Sequence, residues 1–96
     1  MKYVYVLTST EKDLYYEQAL MSAYSLRLHN PGAHVTVLVD DKTERSLTAE
    51  KKRTALARYA TEIIAVPFSD GVPNVDRSRL IKTAIPDYVK GSFLYI

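Results

Sequence analysis

The chain has 96 residues, 47% of them apolar and 25% charged, with no cysteine and a formal net charge of +2. That length makes one small domain, able to bury about 65% of its unfolded surface, and the missing cysteines exclude disulfides and thiolate metal sites and fit a cytoplasmic protein. No apolar run approaches the ~20 residues of a membrane span, and so small a charge argues against a nucleic-acid partner, whose phosphates require a clustered basic surface.

Over residues 2–8 β-branched and aromatic residues alternate, then give way to the polar string Thr8-Ser9-Thr10-Glu11-Lys12-Asp13. No small-residue cleavage pattern follows, so the start reads as a strand entering a loop and not as a signal peptide. From about residue 13 to 29, Tyr16, Ala19, Leu20, Ala23 and Leu26 recur at helical spacing as one stripe, while Glu17, Gln18 and Arg27 fall elsewhere. Asn30-Pro31-Gly32 stops that helix. Val35-Thr36-Val37-Leu38-Val39 is nearly continuous in β-formers, as expected of a strand covered on both faces, and Asp40-Asp41 ends it.

A second helix is expected over roughly residues 43–59, burying Leu47, Ala55, Leu56 and Tyr59. The basic run Lys51-Lys52-Arg53 reads as a solvated helix face, with a functional patch as the other reading. Ile63-Ile64-Ala65-Val66 is a third strand closed by Pro67, and Gly71-Val72-Pro73-Asn74 is a loop. A third helix should begin near Asp76 as its N-cap and break at Pro86, which cannot donate to the helix ladder. After a turn at Lys90-Gly91, Ser92-Phe93-Leu94-Tyr95-Ile96 is a fourth strand.

The order β-α-β-α-β-α-β implies a mostly parallel sheet with right-handed crossovers, a Rossmann-like, three-layer α/β/α fold. Ligands of such sheets bind at the carboxyl ends of the strands where strand order reverses, which points to the loop after the first strand and the start of the third helix. A hydrophobic strand with no polar tail after it reads as the end of a truncated domain, with an open strand edge through which the piece would self-associate.

Neither G-x-G-x-x-G nor G-x-x-x-x-G-K-[ST] is present, and three glycines leave no glycine-rich phosphate cradle. His29 suits the dipole at a helix C-terminus better than it suits a metal shared with His34. Asp40-Asp41 is the only adjacent carboxylate pair. Such a pair can bind a divalent ion or do acid-base work, but a strand-to-helix junction also wants Asp as a cap. A receiver-type phosphoacceptor domain would set its acids after the first and third strands, where this chain has Thr8-Ser9-Thr10 and Pro67-Phe68-Ser69. In the third helix Ile81, Ala84, Ile85 and Tyr88 form an apolar stripe with Arg79, Lys82 and Thr83 opposite. Cations in the first turns oppose the macrodipole, so Arg77, Arg79 and Lys82 read either as a solvated face or as groups prepared to receive an anion such as a diphosphate.

Three pieces of the sequence resemble the GT-A glycosyltransferases of family 8, which include bacterial galactosyltransferases and glycogenins. They are Tyr5-Val6-Leu7-Thr8-Ser9 leading through Asp13-Leu14-Tyr15-Tyr16 to the helix ending in Ser25-Leu26; the Asn30-Pro31-Gly32 turn; and Ser78-Arg79-Leu80 followed by Gly91-Ser92-Phe93-Leu94-Tyr95-Ile96. Together they span nearly the whole chain. The resemblance implies that residues 1–96 are the N-terminal, nucleotide-sugar-binding half of a GT-A domain, stopping just before the Asp-x-Asp motif that in the family holds a manganese ion on the donor diphosphate. It implies a parent enzyme that transfers a sugar from a UDP-sugar to a saccharide or glycan acceptor with retention of configuration, this piece alone being inactive. It assigns Thr8 and Ser9 to the uridine, with Thr10 beside them, Tyr15 to stacking near the base, and Arg79 to the donor sugar or diphosphate, with Lys82 as a second cation. The chain departs from the family just after the first strand, where Ser9-Thr10 stand in place of an acidic residue. For Tyr15 and Tyr16 ordinary packing of helix on sheet is the other reading. A non-enzymatic nucleotide-binding or assembly module of the same architecture is the alternative function.

Overall fold

In the computed structural model, which describes residues 2–8, 13–49, 54–68 and 71–96, the alternating opening residues become β1 (Lys2–Leu7). There follow α1 (Asp13–His29), β2 (His34–Asp40), α2 (Asp41–Ala49), α3 (Leu56–Tyr59), β3 (Glu62–Val66), α4 (Asn74–Tyr88) and β4 (Phe93–Tyr95). The four strands form one all-parallel sheet in the order β3-β2-β1-β4. β1 pairs with β2 from Lys2↔His34 to Leu7↔Val39 and with β4 from Lys2↔Phe93 to Val4↔Tyr95. The Ile96 N–H carries that ladder one step further, donating to the Val4 carbonyl at 2.9 Å. The class is therefore α/β with a parallel sheet, as the alternation of elements predicts.

Because side chains alternate across a strand, neighbouring residues of β1 and β2 enter two separate apolar clusters. Tyr5, Leu7, Val35, Val37 and Val39 join Tyr16 and Ala23 of α1, Leu47 of α2 and Leu56 of α3. Val4 and Leu38 join Val66, Ile81, Ile85 and Val89. The β2 strand is buried along Val35–Asp40, in agreement with its unbroken run of β-formers. Among the described residues neither edge strand has a second partner strand, and at β4 Leu94, Tyr95 and Ile96 remain about half exposed. No described helix is long and apolar enough to cross a membrane.

Three expectations are corrected. The single helix over residues 43–59 is two among the described residues, α2 starting at Asp41 and α3 starting anew after a turn at Thr54-Ala55. Leu47 and Leu56 both enter the same cluster, yet nine residues of one straight helix would set them about 180° apart, so an interruption lets both point inward. α4 starts at Asn74, with Pro73 and not Asp76 at the N-cap position; the Asp76 and Arg77 N–H groups both donate to the Pro73 carbonyl. Asp76 lies in the first turn, where its charge complements the dipole. Pro86 does not break the helix, which continues to Tyr88 and closes with the Val89 N–H on the Ile85 carbonyl at 2.9 Å. Pro86 is exposed while Ile85 and Val89 are buried in the same cluster, so packing holds the last turn together across the missing donor.

At the N-terminal ends of the strands Arg27 acts as a tie. Its guanidinium donates to the carbonyls of Pro31, Ala33 and Tyr59 and to the Thr61 hydroxyl, while His29 Nδ1 donates to the Ser25 carbonyl. His34 lies beside Glu62 and Thr36, at the far end of the sheet from the site described next.

Candidate functional site

From β1 the chain steps outward to β2 and β3, then returns through α4 to place β4 on the other side of β1. Strand order thus reverses between β1 and β4, where open parallel sheets take their ligands. A groove of about 690 Å³ lies there, at the carboxyl end of β1. That size falls within the ~300–1,000 Å³ of small-molecule sites. One wall is a face of α1 carrying Tyr15, Gln18, Ala19 and Ser22, spaced so that they fall on neighbouring turns. The floor is β1 with Thr8 at its end, and the remaining wall holds Ser78 and Lys82 of α4 with Tyr95 and Ile96. Tyr95 is level with Val4 in the parallel register, so it shares Val4's side of the sheet, and the Lys82 ammonium lies 5.9 Å from the centre of its ring. Deeper in, the Tyr5 hydroxyl and Ser22 Oγ are 2.9 Å apart and hydrogen-bonded.

Three of the residues proposed from the sequence meet in this groove, namely Thr8, Tyr15 and Lys82. Tyr15 is 59% exposed, whereas Tyr16 is buried in the core, so the two adjacent tyrosines divide between groove and packing. Arg79 is exposed and is not among the lining residues. Ser9 and Thr10 lie outside the described residues, as does the Lys51-Lys52-Arg53 run.

Arg77, grouped by sequence with the anion-receiving cations, is instead fully buried. Its Nη1 donates to Asp40 Oδ2 at 2.9 Å and to Asp41 Oδ1 at 3.0 Å, its Nε donates to the Val72 carbonyl, and its guanidinium lies 5.4 Å from the centre of the Phe68 ring. Asp40 also accepts the Thr43 N–H on Oδ1, 3.0 Å away, which is the geometry of an N-cap on α2. The aspartate pair therefore caps a helix and neutralises a buried cation.

Burial raises the Asp41 carboxyl, but the Arg77 guanidinium, the N–H groups of Asp41 and Lys42, and Arg45 outweigh it and hold the group below its ordinary value of 3.8. A depressed folded-state value means that the stabilisation is complete above the unfolded value and is lost as pH falls through the folded one. Thermal melts should therefore find Asp41→Asn less stable than the parent at about pH 6, with the difference closing below about pH 4. A difference unchanged between those conditions would show that the carboxylate charge contributes nothing.

Gln18, Ser22, Ser78 and Tyr95 line the groove and were not foreseen. Gln18 and Ser22 could have been found by extending the helical face from Tyr15 by three and seven positions. Ser78 and Tyr95 need the strand order as well. Among the described residues no lining side chain is a carboxylate, imidazole or thiolate, and no group of three such ligands exists. The described residues thus do not fit a manganese ion. Compared with protein-family models, with curated proteins and with solved structures, the chain gives no match.

Proposed function

We propose that this chain is the donor-nucleotide-binding half of a GT-A type glycosyltransferase with an α/β/α three-layer fold, and that its groove takes the UDP part of a UDP-sugar. The observation that carries this is the groove at the reversal of strand order, which combines an exposed aromatic ring, hydroxyl groups and one cation. Tyr15 offers its ring to the base, Thr8 and Ser78 offer hydroxyl donors to ribose or phosphate, and Lys82 offsets phosphate charge. When the bond between sugar and diphosphate breaks, negative charge grows on the departing UDP. A cation beside it stabilises that charge. The acceptor would be a saccharide or glycan and the parent enzyme cytoplasmic. Manganese enters only through the Asp-x-Asp residues that the resemblance sets after Ile96, and no step on the described residues runs through it.

Calorimetric titration of UDP, with and without manganese, tests the proposal on this chain and on one extended through the residues that follow. UDP should bind this chain with little response to manganese and bind the extended chain more tightly when manganese is present. Heat in neither form sinks the proposal. Binding in both without a manganese response favours the non-enzymatic nucleotide-binding module.

A further inference from the structure

We propose that Lys82, and not Arg79, is the cation that receives the phosphates of a nucleoside diphosphate in this groove, with Tyr95 as the platform that positions its ammonium. The proposal rests on the nucleotide reading of the groove and adds where the anion sits.

α4 presents its residues in rows. Ser78 and Lys82, four apart, line the groove, while Arg79 and Thr83 form the next row round the helix and are exposed outside it. Lys82 is the only charged side chain among the described lining residues. Arg77, the buried cation at this end of the fold, already faces two carboxylates. Lys82 forms no ion pair among the described residues; its ammonium instead lies over the Tyr95 ring at 5.9 Å. A ring face attracts a cation without cancelling its formal charge, so the contact favours one position for the exposed ammonium and leaves its charge available to a ligand. Ser78 and Thr8 line the same groove with hydroxyls that can donate to phosphate oxygens, and none of the described lining side chains is a carboxylate. Tyr15 lies on the facing α1 wall, which suits a ligand with an anion at one end and a flat ring at the other.

Heteronuclear spectra that record the lysine side-chain ammonium and the backbone amides test this with inorganic pyrophosphate first and UDP second. Saturable pyrophosphate shifts are expected at Lys82 and its neighbours Ser78 and Tyr95, with Lys2, Lys42 and Lys90 moving little. Lys82→Ala should weaken both ligands about 10- to 100-fold, the range for a hydrogen bond to a charged group, and Lys82→Arg should restore most of the affinity. Tyr95→Leu should weaken them less than Lys82→Ala does, and Tyr95→Phe less again. Arg79→Ala should stay within about twofold of the parent, and the dispersion of the amide spectrum verifies that each variant is folded. A loss on Arg79→Ala equal to or larger than that on Lys82→Ala overturns the proposal. So does a pyrophosphate response that is missing at Lys82 or alike at every lysine. UDP that binds undiminished to Lys82→Ala overturns the phosphate subsite and leaves the nucleotide reading intact. Pyrophosphate bound at Lys82 with UDP no tighter supports the subsite and removes the nucleotide reading instead.

Discussion

Replacing Arg77 with methionine should destabilise the protein by about 3–5 kcal/mol, the cost of removing one partner from a buried ion pair. Asp40 is 1% exposed and would keep a charge that its remaining partner, the Thr43 N–H, cannot neutralise. The substitution also removes the donor to the Val72 carbonyl and the cation beside Phe68. Set against the ~5–15 kcal/mol that holds a domain together, that loss brings the chain close to unfolding, and urea titration should show the midpoint collapse. The double variant Arg77→Met/Asp40→Asn separates charge from packing. Asparagine caps a helix about as well as aspartate, so the α2 cap survives while the stranded carboxylate disappears. The double variant should therefore be more stable than Arg77→Met alone, with a coupling energy of about 1–3 kcal/mol between the sites. If Arg77→Met lies within about 1 kcal/mol of the parent, the ion pair does not hold the entry of α4 against the end of β2.

That pair also marks where local reasoning about the sequence stops. β1, β2 and α1 were legible because each is a periodic run whose buried positions repeat every two residues or every 3.6. The burial of Arg77 is not legible in its own helix, against which alone its charge reads as exposed. Its partners Asp40 and Asp41 precede it by 37 and 36 positions and meet it only where β2 ends beside the start of α4. The groove has the same origin. Tyr15 and Lys82 stand out in the sequence as single residues, but their convergence, and the arrival of Tyr95 beside Lys82, follows from β4 pairing with β1 and not with β3. Strand order is set by which apolar faces can be covered together, and no spacing within one element records it. The interruption between α2 and α3 lay nearer to hand, since Leu47 and Leu56 were both named as buried while their separation is incompatible with one straight helix.

Ile81→Ala should cost about 2–5 kcal/mol, the range for removing a buried isoleucine side chain down to alanine. Ile81 is fully buried and joins Val4 and Leu38 of the two central strands to Val66, Ile85 and Val89. It stands one position before Lys82, which lines the groove. Ile85 and Val89 hold the far end of the helix, so the lost contacts fall in the middle of α4. The loss should appear as a lower urea midpoint with an unchanged slope, since the surface exposed on unfolding barely alters. Ile81→Val, which keeps the branched stem, should cost only about 0.5–1.5 kcal/mol. The ratio of the two distinguishes a tight contact from a loose one. If both variants cost under about 0.5 kcal/mol, the site has collapsed around the deletion, and α4 is not fixed on the sheet at the depth its burial indicates. If the full cost appears, the row of Ser78 and Lys82 is carried by a helix that cannot shift without opening the core, and the groove wall is as rigid as the sheet beneath it.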